Sequence, residues 1–563
     1  MISESSELDS LARFGEALRV TARGILGTDP PAFAFESPRN PAFGDFSTNL
    51  ALQLAKTARR PPQQLAQALI GETFAREPGL AEIAEASAVG GFINLRLAPA
   101  HWQRAVARIL REGDRYGRGL STGMHVSLEY GSANPTGPLV VVQGRTLSLG
   151  AALAAAMRFV GHEVTTEWII NDAGSQIEQL GRSLHARYRQ LWEPDFPFPE
   201  DGYPGDYLIP LAETVRARDG ERWRQAEDSS CLRYFSAFAR DAIVAEQRQV
   251  AERFRALNDL WQSERELHDD GKVAAGLHRL GKLGLTYEKG GALWVRTTEH
   301  GDDEDRVVVR ADGRPTYYAC DVAYHYEKFQ RGADVVIDIL GPDHHGYIGR
   351  LNTLASAYGH PGRIEVQTTG QMTLKRGAEI VSMSKRAGHI VTLAEIVDEV
   401  GVDAARFFFA IPSAESPMTF DLELAKEQSS ENPVYYVQYG HARIASIERK
   451  AAPALLERAL RGDGLERLSE PAELALARRL AEFPAKVRSV AESRAPHRLA
   501  RYAQDIAADF HQFYMACTVL GDDDELSAGR LGLAHAAKLI LAQTLAILGV
   551  GAPEQMERSE REG

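Results

Sequence analysis

The chain has 563 residues, 44% of them hydrophobic and 25% charged, with a net charge of −13. That length calls for two to four hydrophobic cores. A run of the roughly 18–20 apolar residues that a membrane span needs, a metal or disulfide pattern among Cys231, Cys320 and Cys517, and a secretory signal in "MISESSELDSLARFGEALRV" are not found by this reading, which makes cytoplasmic residence the expectation.

The first hundred or so residues alternate helix-like segments with "AVGGFINLRLA", which reads as a strand entered through a Gly-Gly turn. Near Tyr116 the character changes: "HVSLEYGS" (125–132) reads as a buried strand and "NPTGP" as a loop. "GRTLSLGAALAAAMRFVG" is a helix rich in small residues that ends at Gly161, and "EVTTEWII" (163–170) is the next strand. Strand, loop, helix and strand in that order form a βαβ unit, the seed of a parallel doubly wound sheet. A long polar helical stretch runs from about 174 to 280. Strand-like "ALWVRTT", "DRVVVRADG" and "ADVVIDILG" follow, and from Ala425 onward the pattern is helical. There Leu499, Tyr502, Ile506, Phe510, Phe513 and Cys517 recur at helical spacing and read as core. Nucleic-acid binding depends on where charge sits rather than on its sum. Residues 441–520 carry 13 Lys/Arg against 10 Asp/Glu inside an acidic chain, which permits contact with RNA.

The stretch 132–177, "SANPTGPLVVVQGRTLSLGAALAAAMRFVGHEVTTEWIINDAGSQI", resembles bacterial arginyl-tRNA synthetases, and the likeness runs almost end to end. "SPRNPAFGDFSTNLALQLAK", "GRPTYYACDVAYHYEKFQRGADVVIDILGPDHHGY" and "APHRLARYAQDIAADFHQFYMACTVL" carry it in the same order. The resemblance implies three parts. These are an α+β N-terminal domain over 1–112 that contacts the tRNA elbow, an α/β Rossmann-type class I catalytic domain over 113–424, and an all-α anticodon-binding-type bundle over 425–563.

Two family signatures serve ATP, and both are altered. Where the family reads Leu-His-Val-Gly-His-Gly-Arg, this chain reads Leu139-Val140-Val141-Val142-Gln143-Gly144-Arg145. Val140 and Gln143 stand for the two histidines that meet the phosphates at a helix N-terminus. Val142 stands for the glycine that lets adenine lie against the backbone. In "SMSKRAG", Ser382 replaces the first lysine of Lys-Met-Ser-Lys and Lys385 keeps the second.

The amino-acid pocket implied by the resemblance is kept. Asn134 would hold the substrate backbone, and Glu264 would pair with the guanidinium or amino group. Tyr317 and Asp321 lie four apart, on one face if that segment is helical. Asn258 and Gln262 replace aromatics of the family near that pocket. For tRNA, Tyr435, Tyr436, Gln438, Tyr439, Arg443, Arg498, Arg501 and Tyr502 fall in the best-matched bundle segments, where Arg and Tyr contact phosphates and stack on bases. His344 and His345 form an adjacent pair that the family also has without a metal role, so no metal site is expected.

Selective loss of the ATP parts leads to one expectation above the others. It is a chain that binds arginine and arginyl-tRNA and transfers the activated arginine to a second aminoacyl group, a peptide or a small molecule, as in arginine cyclodipeptide synthases. Asp321, His344 and His345 would be its acid–base groups, and it would need no cofactor. The alternatives are an active arginine–tRNA ligase with an atypical ATP site, using ATP and magnesium, and a non-catalytic tRNA-binding or arginine-sensing protein. Family habit makes a monomer the expectation in each case.

Overall fold

Gly90 and Gly91 have φ of 60° and 88°, values that L side chains rarely adopt. They fold the segment read as one strand into a two-residue hairpin. Its arms β2 (Ala84–Val89) and β3 (Phe92–Leu97) form an antiparallel sheet with β1 (Phe46–Thr48), in the order β1-β3-β2. Helices α1 (Ser6–Leu26), α2 (Leu50–Ala58) and α3 (Pro62–Arg76) supply Phe14, Leu18, Leu54 and Leu69, which bury against Ile93 and Leu95 of the sheet. α4 (Pro99–Glu112) follows, with Trp102, Val106 and Ile109 buried along one face.

The computed structural model describes residues 6–36, 38, 40–226, 229–342, 347–381 and 391–556. They divide into two units, one built from the described parts of 1–116, 440–483 and 505–540, the other from those of 117–439, 484–504 and 541–563.

The second unit begins with β4 (His125–Ala133), helix α5 (Val141–Phe159) and β5 (Glu163–Ile170). The run of small residues in α5 lets the helix lie close on the sheet: a Cβ added to Gly150 would sit 2.1 Å from the Tyr130 ring. Between β5 and β6 (Leu260–Ser263) the chain inserts α6 (Ser175–Gln190), α7 (Leu208–Asp219) and α8 (Ser229–Arg253). Leu184, Tyr188, Leu208, Val215, Phe235 and Ile243 form the core of this insertion. β6 corrects the reading of 174–280 as wholly helical. A four-residue edge strand, "LWQS", is too short to show a period of its own.

α9 (Glu264–Asp269) and α10 (Lys272–Lys282) lead to a small antiparallel sheet of β7 (Thr286–Lys289), β8 (Ala292–Val295) and β9 (Arg306–Val309). Helix α11 (Tyr317–Gln330) then returns the chain to β10 (Val335–Leu340) and β11 (Ile364–Thr368). The five strands of the main sheet are all parallel, in the order β11-β10-β4-β5-β6. Helices cover such sheets on both faces, which is why "VVIDIL" in β10 is a nearly unbroken apolar run. The order reverses direction between β4 and β10, and the crevice at that switch point is where parallel sheets of this class bind ligands.

From Pro433 onward the described chain is helical, and Leu499, Tyr502, Ile506, Phe510, Phe513 and Cys517 are all buried. Among the described residues one helix, Asp524–Leu548, is long and apolar enough to cross a membrane, but 67% of its most apolar window is buried within the protein. Arg406 is 1% exposed and donates to the carbonyls of Phe254, Arg255 and Leu548, just past the ends of α8 and at the end of that last helix. Its charge therefore meets the negative ends of two helix dipoles.

Candidate active site

A cavity of about 450 Å³ opens at the switch point. The C-terminal ends of β4, β5 and β10 supply its floor through Ala133, Ile169 and Leu340, and α5, α9 and α11 supply its walls. Asn134 leaves β4 directly into it, and its side-chain oxygen accepts from Asn171 Nδ2 at 3.3 Å. Glu264 is the first residue of α9 and is 5% exposed. Tyr317 and Asp321 sit one turn apart at the start of α11 and both line the cavity. Tyr317 is half exposed at the rim, where Gln176 Nε2 donates to its phenol oxygen at 3.4 Å. Asn258 and Gln262 are not among the lining residues: the first donates to the Glu167 carbonyl and the second to that of Ser263.

Glu264 Oε2 and Asp321 Oδ2 are buried and have no hydrogen-bond partner among the described residues. Burial pushes the Glu264 carboxyl up to about 7, with the charges of Asp321 and Asp172 adding to the effect. Burial likewise raises Asp321 to about 6, against the pull of His325 and with a further push from Asp338. An orphaned, desolvated carboxylate oxygen is costly in a folded protein. Two of them in one cavity mark a place shaped for a cationic ligand.

Beneath them lies a network that sequence reasoning did not single out. Lys328, fully buried in α11, donates to Glu129 Oε2 of β4 at 2.6 Å and to Asp338 Oδ1 of β10 at 2.7 Å. It thus ties together the two strands that flank the switch point. His325 faces Asp338 Oδ2 with Nε2 and the Asp321 carbonyl with Nδ1, each at 2.9 Å. Both partners are acceptors, an arrangement that favours the doubly protonated ring. Burial and Lys328 oppose that charge, but Asp338 and Asp321 outweigh them and its pKa is raised. Burial also lifts Glu129 to about 7 despite Lys328. The carboxylates of Glu129, Glu264, Asp321 and Asp338 thus line the cavity together with His325, and Lys328 bonds two of them. A charged residue inside an apolar strand, as in "HVSLEYGS" and "VVIDIL", was the signal available for Glu129 and Asp338.

The altered signature enters the cavity on one side. The Val141 N–H donates to the Val391 carbonyl at 3.1 Å and the Leu393 N–H to that of Leu139 at 2.8 Å. These bonds pin the start of α5 to the segment that follows residues 382–390. Val141 is buried, Val140 and Val142 are half-buried, and Gln143 is the residue of this turn that lines the cavity. Gln143 Oε1 accepts the Val140 N–H at 2.8 Å, so the two N–H donors of its amide are not used in that bond. His344, His345, Ser382 and Lys385 lie outside the described residues.

The residues assigned to tRNA differ in exposure. Tyr435 and Tyr439 stack at 6.0 Å between ring centres, and Arg443 lies over the Tyr514 ring at 4.7 Å. Tyr436 is half-buried, while Arg498, which donates to Ser489 Oγ at 2.9 Å, and Arg501 are exposed. Gln438 is buried, bonded to Asp403 and the Gly551 carbonyl, and Tyr502 is 2% exposed, so these two side chains pack within the protein.

Comparison with known proteins gives the same picture along the whole chain. Residues 12–97 match the arginyl tRNA synthetase N terminal domain, 216–410 the class I (R) tRNA synthetase catalytic domain, and 437–556 the DALR anticodon binding domain. The chain is 42% identical over 560 residues to an arginine–tRNA ligase of Moorella thermoacetica, covering 99% of this chain and all of that one. It is 44% identical to one of Desulforudis audaxviator over 94% of each. Solved arginyl-tRNA synthetases of Thermus thermophilus (TM-score 0.74, 23% identity, 97% of this chain and 100% of that one) and Plasmodium falciparum (0.72, 16%, 97% and 99%) share the fold.

These full-length relatives overturn the expectation of an arginyl transferase that has lost ATP activation and needs no cofactor. They also remove the reason for a second acceptor. The expectation weighed the two lost imidazoles, the lysine lost at Ser382 and the bulk of Val142. A phosphate site at a helix N-terminus also draws on backbone N–H groups and the helix dipole, and replacing side chains leaves those in place.

Proposed function

The chain belongs to the arginyl-tRNA synthetase family, and from that premise we propose that it is an arginine–tRNA ligase whose ATP site is built without the signature imidazoles. Glu264 and Asp321 receive the cationic groups of arginine, their unpartnered oxygens filling with N–H donors. Asn134, with its oxygen held by Asn171, offers its amide donors to the substrate's carboxylate end. ATP lies with its α-phosphate toward the first turn of α5, where the dipole and the Gln143 amide favour negative charge. Magnesium, entering with ATP, would neutralise charge on the pyrophosphate.

The arginine carboxylate oxygen attacks the α-phosphorus, the bond to the β-phosphate oxygen breaks, and pyrophosphate leaves. A hydroxyl of the terminal tRNA ribose then attacks the arginyl carbonyl, forming the ester and releasing AMP. The division into 1–112, 113–424 and 425–563 assigns the tRNA elbow, the chemistry and the anticodon loop in turn. Tyr435, Tyr436, Tyr439, Arg443, Arg498 and Arg501 are the candidate tRNA contacts.

The observation that carries this reading is the pair of buried carboxylate oxygens in one cavity that have no partner among the described residues. Arginine-dependent ATP–pyrophosphate exchange with tRNA(Arg) present, followed by charging of that tRNA, tests it. Lysine should support neither step. A pure protein that charges no tRNA with arginine would overturn the reading.

A further inference from the structure

The loop Asn134–Pro138, which carries Asn134 into the cavity and then opens α5, has little means of bracing itself. Pro135 and Pro138 have no N–H to donate. Its carbonyls are held instead by two side chains from the helical insertion between β5 and β6. Gln247, in α8 and 1% exposed, donates through Nε2 to the Asn134 carbonyl at 3.2 Å and to the Gly137 carbonyl at 2.9 Å. Tyr207, just before α7, donates its phenol proton to the Thr136 carbonyl at 2.5 Å. Both Gln247 amide hydrogens are thereby used on one loop, while its Oε1 stays buried without a partner among the described residues. A buried amide that leaves its acceptor unmet is placed for its donors, and those donors serve only the substrate loop.

We propose that Gln247 and Tyr207 are positioning residues for the arginine site, acting through the loop that sets Asn134. The inference rests on the ligase reading. The insertion is then part of the amino-acid site although neither residue lines the cavity, and distortion of α7 or α8 reaches the substrate through these three bonds.

The test uses the full chain with Gln247→Met, which keeps length and removes both donors, and Tyr207→Phe, which removes one hydroxyl. Arginine dissociation constants are measured by calorimetry, alongside KM and kcat for arginine in pyrophosphate exchange. Gln247→Met is expected to weaken arginine binding about tenfold and Tyr207→Phe about threefold, the scale of one or two hydrogen bonds, with KM rising more than kcat falls. Mere loss of folded protein lowers binding stoichiometry and kcat and leaves the dissociation constant unchanged. In a double-mutant cycle, Gln247→Met adds little once Asn134→Ala is present, because the two act in series. Wild-type affinity in both variants, or a full additional loss in the double mutant, overturns the positioning role. If the wild-type chain itself binds no arginine, the ligase reading falls and takes this one with it.

Discussion

Gln143 accepts the Val140 N–H through its own side-chain oxygen at 2.8 Å, so the two residues that stand where the family has imidazoles are bonded to each other. The bond satisfies one of the donors left open at the start of α5. Gln143→Ala removes that bond and the amide donors. It should cost about 0.5–2 kcal/mol of stability as a lost cap and lower pyrophosphate exchange by roughly 10²-fold as a lost donor. Exchange at the wild-type rate would show that the amide plays no part with ATP. Reverting Val140→His, Val142→Gly and Gln143→His together should raise exchange by about tenfold or more.

Glu264→Gln and Asp321→Asn separate binding from folding. Each replaces a charge that burial disfavours, so each variant should melt at or above the wild-type temperature at pH 8. Each should also weaken arginine binding by about 10- to 150-fold, the worth of roughly 1.5–3 kcal/mol for a charge-assisted bond. Stability and affinity that fell together would point to a structural role for these carboxylates.

The same groups give a pH dependence whose sign can be worked out. Glu264 and Glu129 at about 7, and Asp321 at about 6, hold protons that the unfolded chain releases near the ordinary carboxylate range. Through these three groups the folded state binds more protons between about pH 4 and 7, and their contribution to stability falls as pH rises through that window. Arginine reverses the preference by favouring the ionised forms. Its affinity should rise from pH 5.5 to 7.5, with proton release visible as a buffer-dependent heat. A flat affinity profile across this range would remove Glu264 and Asp321 from the binding site.

Lys328→Met keeps the volume of a fully buried side chain while leaving Glu129 and Asp338 as unpaired carboxylates across the switch point. Stability at pH 8 should drop by about 3–5 kcal/mol in chemical denaturation. Adding Glu129→Gln should recover part of that loss.

Much of the fold is legible in the chain because it is written in local patterns. The limits of β5 follow from "EVTTEWII" and the end of α5 from Gly161, since strand burial and a left-handed stop are properties of a few consecutive residues. β6 was missed because four residues at a sheet edge carry no period. The Gly90-Gly91 pair was seen as a turn, but which strands it joined depended on pairing across the chain.

The site divides along the same line. Asn134, Glu264, Tyr317 and Asp321 were named from matched motifs, and they meet in one cavity. Lys328, His325, Glu129 and Asp338 were not named, because each becomes part of the site only through a partner on another element. The altered turn Val140–Gln143 shows the limit most plainly. By residue type alone it reads as a loss of imidazoles and glycine. Only the folded chain shows that the glutamine bonds the Val140 N–H, lines the cavity and leaves the helix N-terminus in place. Sequence by itself determined the family, the first βαβ unit and the identities at matched positions, since those depend on residues taken one segment at a time. Tertiary structure alone decided which charges are buried together, which carboxylate oxygens lack partners and which distant side chains hold the substrate loop. Desolvation and hydrogen bonding act over a few ångströms in space, across any distance in sequence.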